Sequence, residues 1–297
     1  MALQELSYAS PNDPWLRRQV INLIEELSGR RRFAKLYQVW QEEIVPDSQT
    51  IMGDLLKLID VRLELTTHQW PQSVDPEAPL VMVANHPFGI GDGIALLALA
   101  EQLDRPYKVL IHSDLLKTPE IRPYALPIEF GPAGEAKPSR ENLETREKAI
   151  ALLKSGTTIV VFPGGAVATA PQPFGRALEW SWSPFVSRLI QSSQASVLPV
   201  YFSGQNSFLF HVASLFSQVL RTSLLVSEFR RFAGSTVEAH VGEIIPFEAL
   251  KNPDNRRALI DELFQYVLML GAQDVVTDTY EPGGGLRAAF SRPAVAG

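Results

Sequence analysis

The 297-residue chain contains no cysteine. That excludes a disulfide framework, a thiolate metal site and a cysteine nucleophile. A reducing compartment is permitted. Long hydrophobic runs are missing too: no stretch of this sequence reaches the roughly 18 uninterrupted apolar residues that suggest a transmembrane helix. The opening residues, M-A-L-Q-E-L-S-Y-A-S-P-N-D, lack the basic start and apolar segment of a secretory leader. Positive charge is in deficit, with 27 Lys and Arg against 33 Asp and Glu, a net charge of −6 and a pI of about 5.5. This weighs against a nucleic-acid binder, which carries a basic stripe to neutralise phosphates. It leaves room for a local basic patch at a membrane. The expectation is a soluble or peripheral cytoplasmic protein.

Several site signatures are missing as well. Gly89-Ile90-Gly91-Asp92-Gly93-Ile94 fails the dinucleotide pattern, because Ile94 stands at its third glycine. There is no G-x-S-x-G elbow and no phosphate-binding P-loop. The five histidines (His68, His86, His112, His211, His240) show no close metal-ligand spacing.

What is present suits a globular chain with a full core: 45% hydrophobic and 20% charged residues. Residues 12–45 read as helical, with Leu16, Val20, Leu23, Ile24 and Leu27 on one stripe and Asp13-Pro14 at an N-cap. Arg30-Arg31-Arg32 and Lys35 follow, close in sequence to Phe33, Tyr37 and Trp40. This region suits first a helical pair on the core with a solvated arginine cluster, since most amphipathic helices face a core, and second an amphipathic element facing lipid. From residue 79 short apolar runs alternate with helices. Strands are expected at 80–84, 109–111, 157–162, 197–202 and 237–245, and helices at 94–103, 142–155 and 253–270. The fold class is therefore α/β, a mostly parallel central sheet flanked by helices and preceded by an N-terminal helical element. The division is 1–70 for that element, 71–280 for the α/β domain, and 281–297 for a flexible tail rich in glycine and alanine.

Three segments carry chemistry. The first is N-H-P-F-G-I-G-D-G, Asn85 to Gly93, at a strand-to-helix junction. Ligands in open α/β sheets bind outside the carboxyl ends of strands. His86 suits a general base there, and Asp92 suits orienting it. Six positions on a continuous helix rotate by about 600°, so the pair meets only if the chain turns between them. Gly89 and Gly91 make that turn feasible. Asp92 equally suits capping the helix that follows, and the two roles are compatible.

The second segment is I-V-V-F-P-G-G, Ile159 to Gly165. Its glycines either form a simple tight turn or present backbone N–H groups to an oxyanion. The third is V-L-P-V-Y-F-S-G-Q-N-S, Val197 to Ser207, whose polar end is ordinary turn chemistry or part of a site.

In this order, the three segments resemble the blocks of the glycerolipid and lysophospholipid acyltransferase superfamily, with the greater likeness to its bacterial hemolysin-like branch. His86 and Asp92 stand one residue further apart than the superfamily's usual pair, which is similar to the N-H-P-x-G-x-x-D form of that branch. F-P-G-G at Phe162–Gly165 resembles the F-P-E-G block, with Gly164 in place of the glutamate. The likeness covers residues 79–245.

The resemblance implies acyl-CoA or acyl carrier protein as donor, membrane lipids as partners, and a peripheral position on the inner face of the cell membrane. It implies no metal and no cofactor beyond the donor. It also implies His86 and Asp92 as catalytic pair; Gly164 and Gly165 stand as oxyanion donors on the turn reading given above. The superfamily's second block carries an arginine for the acceptor phosphate, but Leu126-Pro127-Ile128-Glu129-Phe130-Gly131 has none. Arg122, Arg140, Arg176 and Asn206 are the candidates for acceptor binding. The expected activity is O- or N-acyl transfer to a lyso-lipid or aminoacyl lipid. A catalytically inactive scaffold for lipid or acyl carrier protein, and a thioesterase or lipid hydrolase, are the competing readings.

Overall fold

A computed structural model describes residue 19 and residues 30–129, 139–172, 174–216, 218–251 and 254–271. The expected Asp13-Pro14 cap, the stripe from Leu16 to Leu27 and the 281–297 tail lie outside the described residues, as do the side chains of Arg30 and Arg31. Arg32 and Lys35 are exposed.

The described chain begins with α1 (Arg30–Val39), which runs into a π-helical turn at Trp40–Ile44, and continues through α2 (Ile51–Leu58). Next come β1 (Arg62–Thr66), β2 (Leu80–Ala84), α3 (Ile90–Glu101), β3 (Tyr107–His112), β4 (Ala125–Ile128) and α4 (Arg140–Lys154). The remainder is β5 (Thr158–Val161), α5 (Pro184–Ser193), β6 (Ser196–Phe202), α6 (Phe208–Phe216), α7 (Gln218–Phe232), β7 (Thr236–Val241) and α8 (Arg256–Leu270).

The seven strands form one sheet in the order β1-β7-β6-β2-β5-β3-β4. Five of them, from β6 to β4, are parallel. β7 is antiparallel to β6, and β1 is parallel to β7. The mostly parallel sheet is thus the one expected from strand–helix alternation. β2 lies at the centre, and all five of its residues are buried. That explains its unbroken apolar run: it has a helical layer on both faces.

Leu80, Met82 and Ala84 face a layer made of α1, α2, α3 and the end of α7. Val81 and Val83 face the opposite layer, made of α4, α5 and α8. α3 is apolar on nearly every side because it is wedged between the sheet, α2 and α7. Its terminal Glu101 turns back to α2 and accepts from the Met52 and Gly53 N–H groups at 3.0 and 2.9 Å, satisfying two donors at that helix's start.

The described part of the N-terminal region packs inward. Phe33, Tyr37 and Trp40 are buried, and the Trp40 indole donates to Ile51 O at 2.9 Å. Residues 62–66, read from sequence as part of a helical element, form the edge strand β1. α4 starts two residues before the 142–155 helix expected from the sequence: Ser139 accepts from Asn142 N at the start, and Gly156 lies just past the end with φ +81.

Candidate active site

Because β5, β2 and β6 are adjacent and parallel, their carboxyl ends share one edge. The three sequence segments follow those three ends, and the fold therefore gathers them at one place. Asn85, the first residue past β2, fastens two of them together. Its side chain donates to Phe202 O at 2.9 Å and accepts from Phe202 N at 2.7 Å, in the manner of one more strand pair.

The next residue is His86. Its Nδ1 lies 3.0 Å from Asp92 Oδ1, although the alignment falls short of a full hydrogen bond. Such geometry tightens in many enzymes only when substrate binds. Asp92 Oδ2 accepts from Phe88 N at 2.8 Å. The carboxylate thus has two neighbours: from the third position of α3 it reaches back to the backbone before the helix, and it faces the imidazole, while the helix itself has no side-chain cap. The turn that brings the pair together is at Gly89, with φ +83. Gly91 serves another purpose. It is helical, and a Cβ there would stand 2.5 Å from the Phe232 ring, so its smallness admits α7 rather than bending the chain.

The His86 ring stacks on Phe162 with centroids 4.1 Å apart. Burial opposes protonation of the imidazole, but the charge of Asp92, aided by Glu179, outweighs both burial and the nearby Arg221. His86 is held above its ordinary value.

Glu179 is a site residue that sequence reading missed. It is buried, and its Oε2 accepts from His86 N at 2.9 Å, across 93 residues of chain. No local pattern signals such a tie.

His86 also faces an apolar cavity of about 340 Å³ within the first helical layer. α1 contributes Phe33, Leu36 and Tyr37, α3 contributes Ile90, Gly93, Ile94 and Leu97, and α7 contributes Leu225, Val226 and Phe229. A Cβ on Gly93 would meet nothing within 4 Å, so this glycine leaves part of the cavity open.

The other expected site residues divide. Gly165 lines the cavity with φ +67, but its N–H donates to Phe162 O at 3.0 Å and is already engaged in the turn. Among the described residues the Gly164 N–H meets no acceptor. None of Arg122, Arg140 and Arg176 lines the cavity. Arg122 donates to Leu116 O at 2.8 Å, and Arg140 makes an exposed pair with Glu144 at 2.8 Å, one turn along α4. Arg176 is exposed. The cation among the cavity's described lining is Lys117.

Asn206 is buried beside His211, and Gln205 accepts from Ala177 N at 2.8 Å. Ser207 binds Glu228 through its N–H at 2.8 Å and through its hydroxyl. The polar end of the third segment thus serves largely to tie loops together. His211 is also buried, and burial pushes it below its ordinary value.

Residues 65–203, which hold the first two segments and the third as far as Ser203, match the family model described as Acyltransferase. The matched description agrees with the resemblance carried by the three segments. A lyso-glycine lipid O-acyltransferase of Bacteroides thetaiotaomicron is 26% identical over 157 residues, covering 52% of this chain and 53% of that protein. The match thus spans about half the length of this relative. A lyso-glycine lipid O-acyltransferase of Phocaeicola vulgatus is 23% identical over 208 residues, 67% of this chain and 70% of the relative. Among solved structures, the 1-acyl-sn-glycerophosphate acyltransferase PlsC of Thermotoga maritima covers 82% of this chain and 84% of its own, with a TM-score of 0.46 and 16% identity.

Proposed function

We propose that this chain moves a fatty acyl group from a thioester carrier, acyl-CoA or acyl carrier protein, to a hydroxyl of a lyso-aminoacyl lipid at a membrane surface. The observation that carries this reading is the placement of His86: backed by Asp92 on one side and open to an apolar cavity on the other. A proton-accepting group beside a greasy cavity suits deprotonation of an acceptor next to a bound acyl chain.

In the proposed step, His86 Nε2 takes the proton of the acceptor hydroxyl as the oxygen attacks the thioester carbonyl. Asp92 steadies the imidazolium that results. The Gly164 N–H, which meets no acceptor among the described residues although Gly164 is buried and outside the cavity's lining, is assigned to the tetrahedral oxyanion, a contribution of ~2.7–4 kcal/mol when such a donor is well placed. Collapse of the intermediate breaks the carbon–sulfur bond, and the departing thiolate recovers the proton from His86. The thioester is already activated, so no acyl-enzyme, metal or further cofactor enters the step.

The names of the two relatives favour oxygen over nitrogen as the acceptor atom. The end of β4 favours an acceptor without a phosphate. Where the superfamily's arginine is expected, Glu129 binds the Ser113 hydroxyl and lies 3.8 Å from His112.

Among the described residues no helix is long and apolar enough to cross a membrane. Membrane contact is therefore assigned to a surface: α6 starts just past the carboxyl end of β6 and exposes Phe208, Leu209 and Phe216, with Phe208 stacked on the exposed Phe174. Large apolar side chains gathered at the surface suit a lipid interface.

The test is product analysis with purified protein, labelled acyl-CoA or acyl carrier protein, liposomes and a panel of lyso-lipids with and without phosphate. A labelled diacyl aminolipid supports the proposal. Free fatty acid as sole product points to a hydrolase, and binding without turnover on every acceptor points to a scaffold.

A further inference from the structure

Glu179 takes no part in the proposed transfer step, yet two independent contacts fix this carboxylate against the proposed base. Thr169 and Leu178 pair as a β-bridge, each donating to the other at 3.1 Å, and this sets the position of the residues that follow. Trp180 then anchors its indole N–H on Val167 O at 3.0 Å. Between these two fixtures, Glu179 points at the end of β2. One oxygen accepts from His86 N. The other occupies the space where a side chain on residue 164 would begin, since a Cβ on Gly164 would lie 2.5 Å from Glu179 Oε1. The same loop also takes the His86 carbonyl, through Ala168 N at 2.7 Å. Both main-chain groups of His86 are thereby held by the segment after β5, while Asp92 holds its ring.

We propose that Glu179 is a positioning residue for His86: it fixes the backbone of the base, lends a second negative charge to the imidazolium formed during transfer, and can stand there only because residue 164 is glycine. This rests on the reading of His86 as general base. The ionisation of Glu179 fits the role. Burial, with Asp92 acting in the same direction, pushes it up to about 7, while the His86 N–H bond and the His86 charge pull it back. It is therefore poised to lose its proton as His86 gains one. The groups facing this cluster are His86 and Asp92 from the first segment and Tyr201 from β6, with Arg221 of α7 near His86 and Arg176 near Tyr201.

The decisive experiment needs no turnover. Histidine-selective NMR titration reads the His86 pKa in wild-type protein and in Glu179→Gln, which keeps an acceptor for His86 N but loses the charge. We expect a lower His86 pKa in the variant, and an unchanged one overturns the proposal.

Kinetics then follow in wild type, Glu179→Gln, Glu179→Ala and the double variant Gly164→Glu/Glu179→Ala. Expected losses in kcat are about tenfold for Gln and about a hundredfold for Ala, with KM within about twofold and the acid limb of the pH profile moved to lower pH. In the double variant a carboxylate enters the same space from residue 164, and kcat should recover about tenfold over Glu179→Ala. A Glu179→Ala enzyme with wild-type kcat and pH profile overturns the proposal, as does a loss that tracks thermal stability alone. A shifted His86 pKa combined with full transfer by His86→Ala would sink the transfer mechanism while leaving the coupling of Glu179 to His86 in place.

Discussion

The two helical layers on the sheet begin from alternate residues of the same strand and end differently. Over Val81 and Val83, α4, α5 and α8 bring Ala149, Leu153, Leu189, Ile190, Leu259 and Leu263 into a closely packed cluster. Over Leu80, Met82 and Ala84, the helices α1, α2, α3 and α7 leave a cavity that runs to His86. Two glycines of α3 mark the contrast within a single helix. Gly91 is filled by the Phe232 ring, and two residues further on Gly93 faces open space. Protein interiors pack as tightly as organic crystals, so an apolar void beside a half-buried imidazole and two buried carboxylates suits a ligand. One layer is built to hold the sheet, and the other to hold something against it.

Substitutions can break this contrast, and loss of His86 itself is expected to have the largest effect. After it comes Asp92→Asn, which keeps the shape of the pair but removes the charge that sustains the imidazolium. We expect kcat to fall about a hundredfold. The sign of the pH effect follows from His86: its value is raised, and Asp92 is the main cause of the rise. A base must be unprotonated to act, so wild-type activity falls as pH drops through that raised value. In Asp92→Asn the fall should move to lower pH, and a pH–kcat series measures it.

In the closed layer, Leu189→Ala should cost about 2–5 kcal/mol of stability, read by denaturant unfolding, with acyl-chain preference unchanged. In the open layer, Gly93→Leu should do the reverse. A Cβ there meets nothing within 4 Å, and leucine ranks just behind alanine as a helix former, whereas glycine stands about 0.8–1.0 kcal/mol below alanine. Stability should hold or rise, and the optimum among donors of graded length should move to shorter chains. A change of chain preference in the leucine-to-alanine variant, or none in the glycine variant, would erase the distinction between the layers. The smallest effect is expected for Arg140→Ala, which removes an exposed pair on α4 worth about 0.3–0.5 kcal/mol and should leave transfer unaltered.

The parts of the site legible in the sequence were those written locally. A strand end followed by histidine, glycine and aspartate can be read because all its members lie within one turn, and the three strand ends meet because parallel neighbours share an edge. Asp92 could be weighed against capping from spacing alone; in the structure it faces His86 and binds Phe88 N, and the helix has no side-chain cap. Glu179 could not be found this way. Its partner is 93 residues distant, and the clue in the sequence was negative: a glycine where the superfamily carries glutamate.

Gly165 looked like a free donor because a sequence shows that a turn exists but not which N–H the turn consumes. β1 escaped notice because an edge strand, with Arg62, Glu64 and Thr66 exposed, lacks the apolar run of a central one. α6 and α7 carry buried residues, exposed phenylalanines and a polar network together, which blurs the helical period on which the reading depends.

The most direct test compares wild-type and His86→Ala protein in acyl transfer from labelled thioester to a lyso-aminoacyl lipid in liposomes, with circular dichroism to confirm equal folding. The account predicts a diacyl product from wild type and a loss of at least about a hundredfold in the variant, with lipid binding retained. Equal turnover by a folded His86→Ala protein would contradict it.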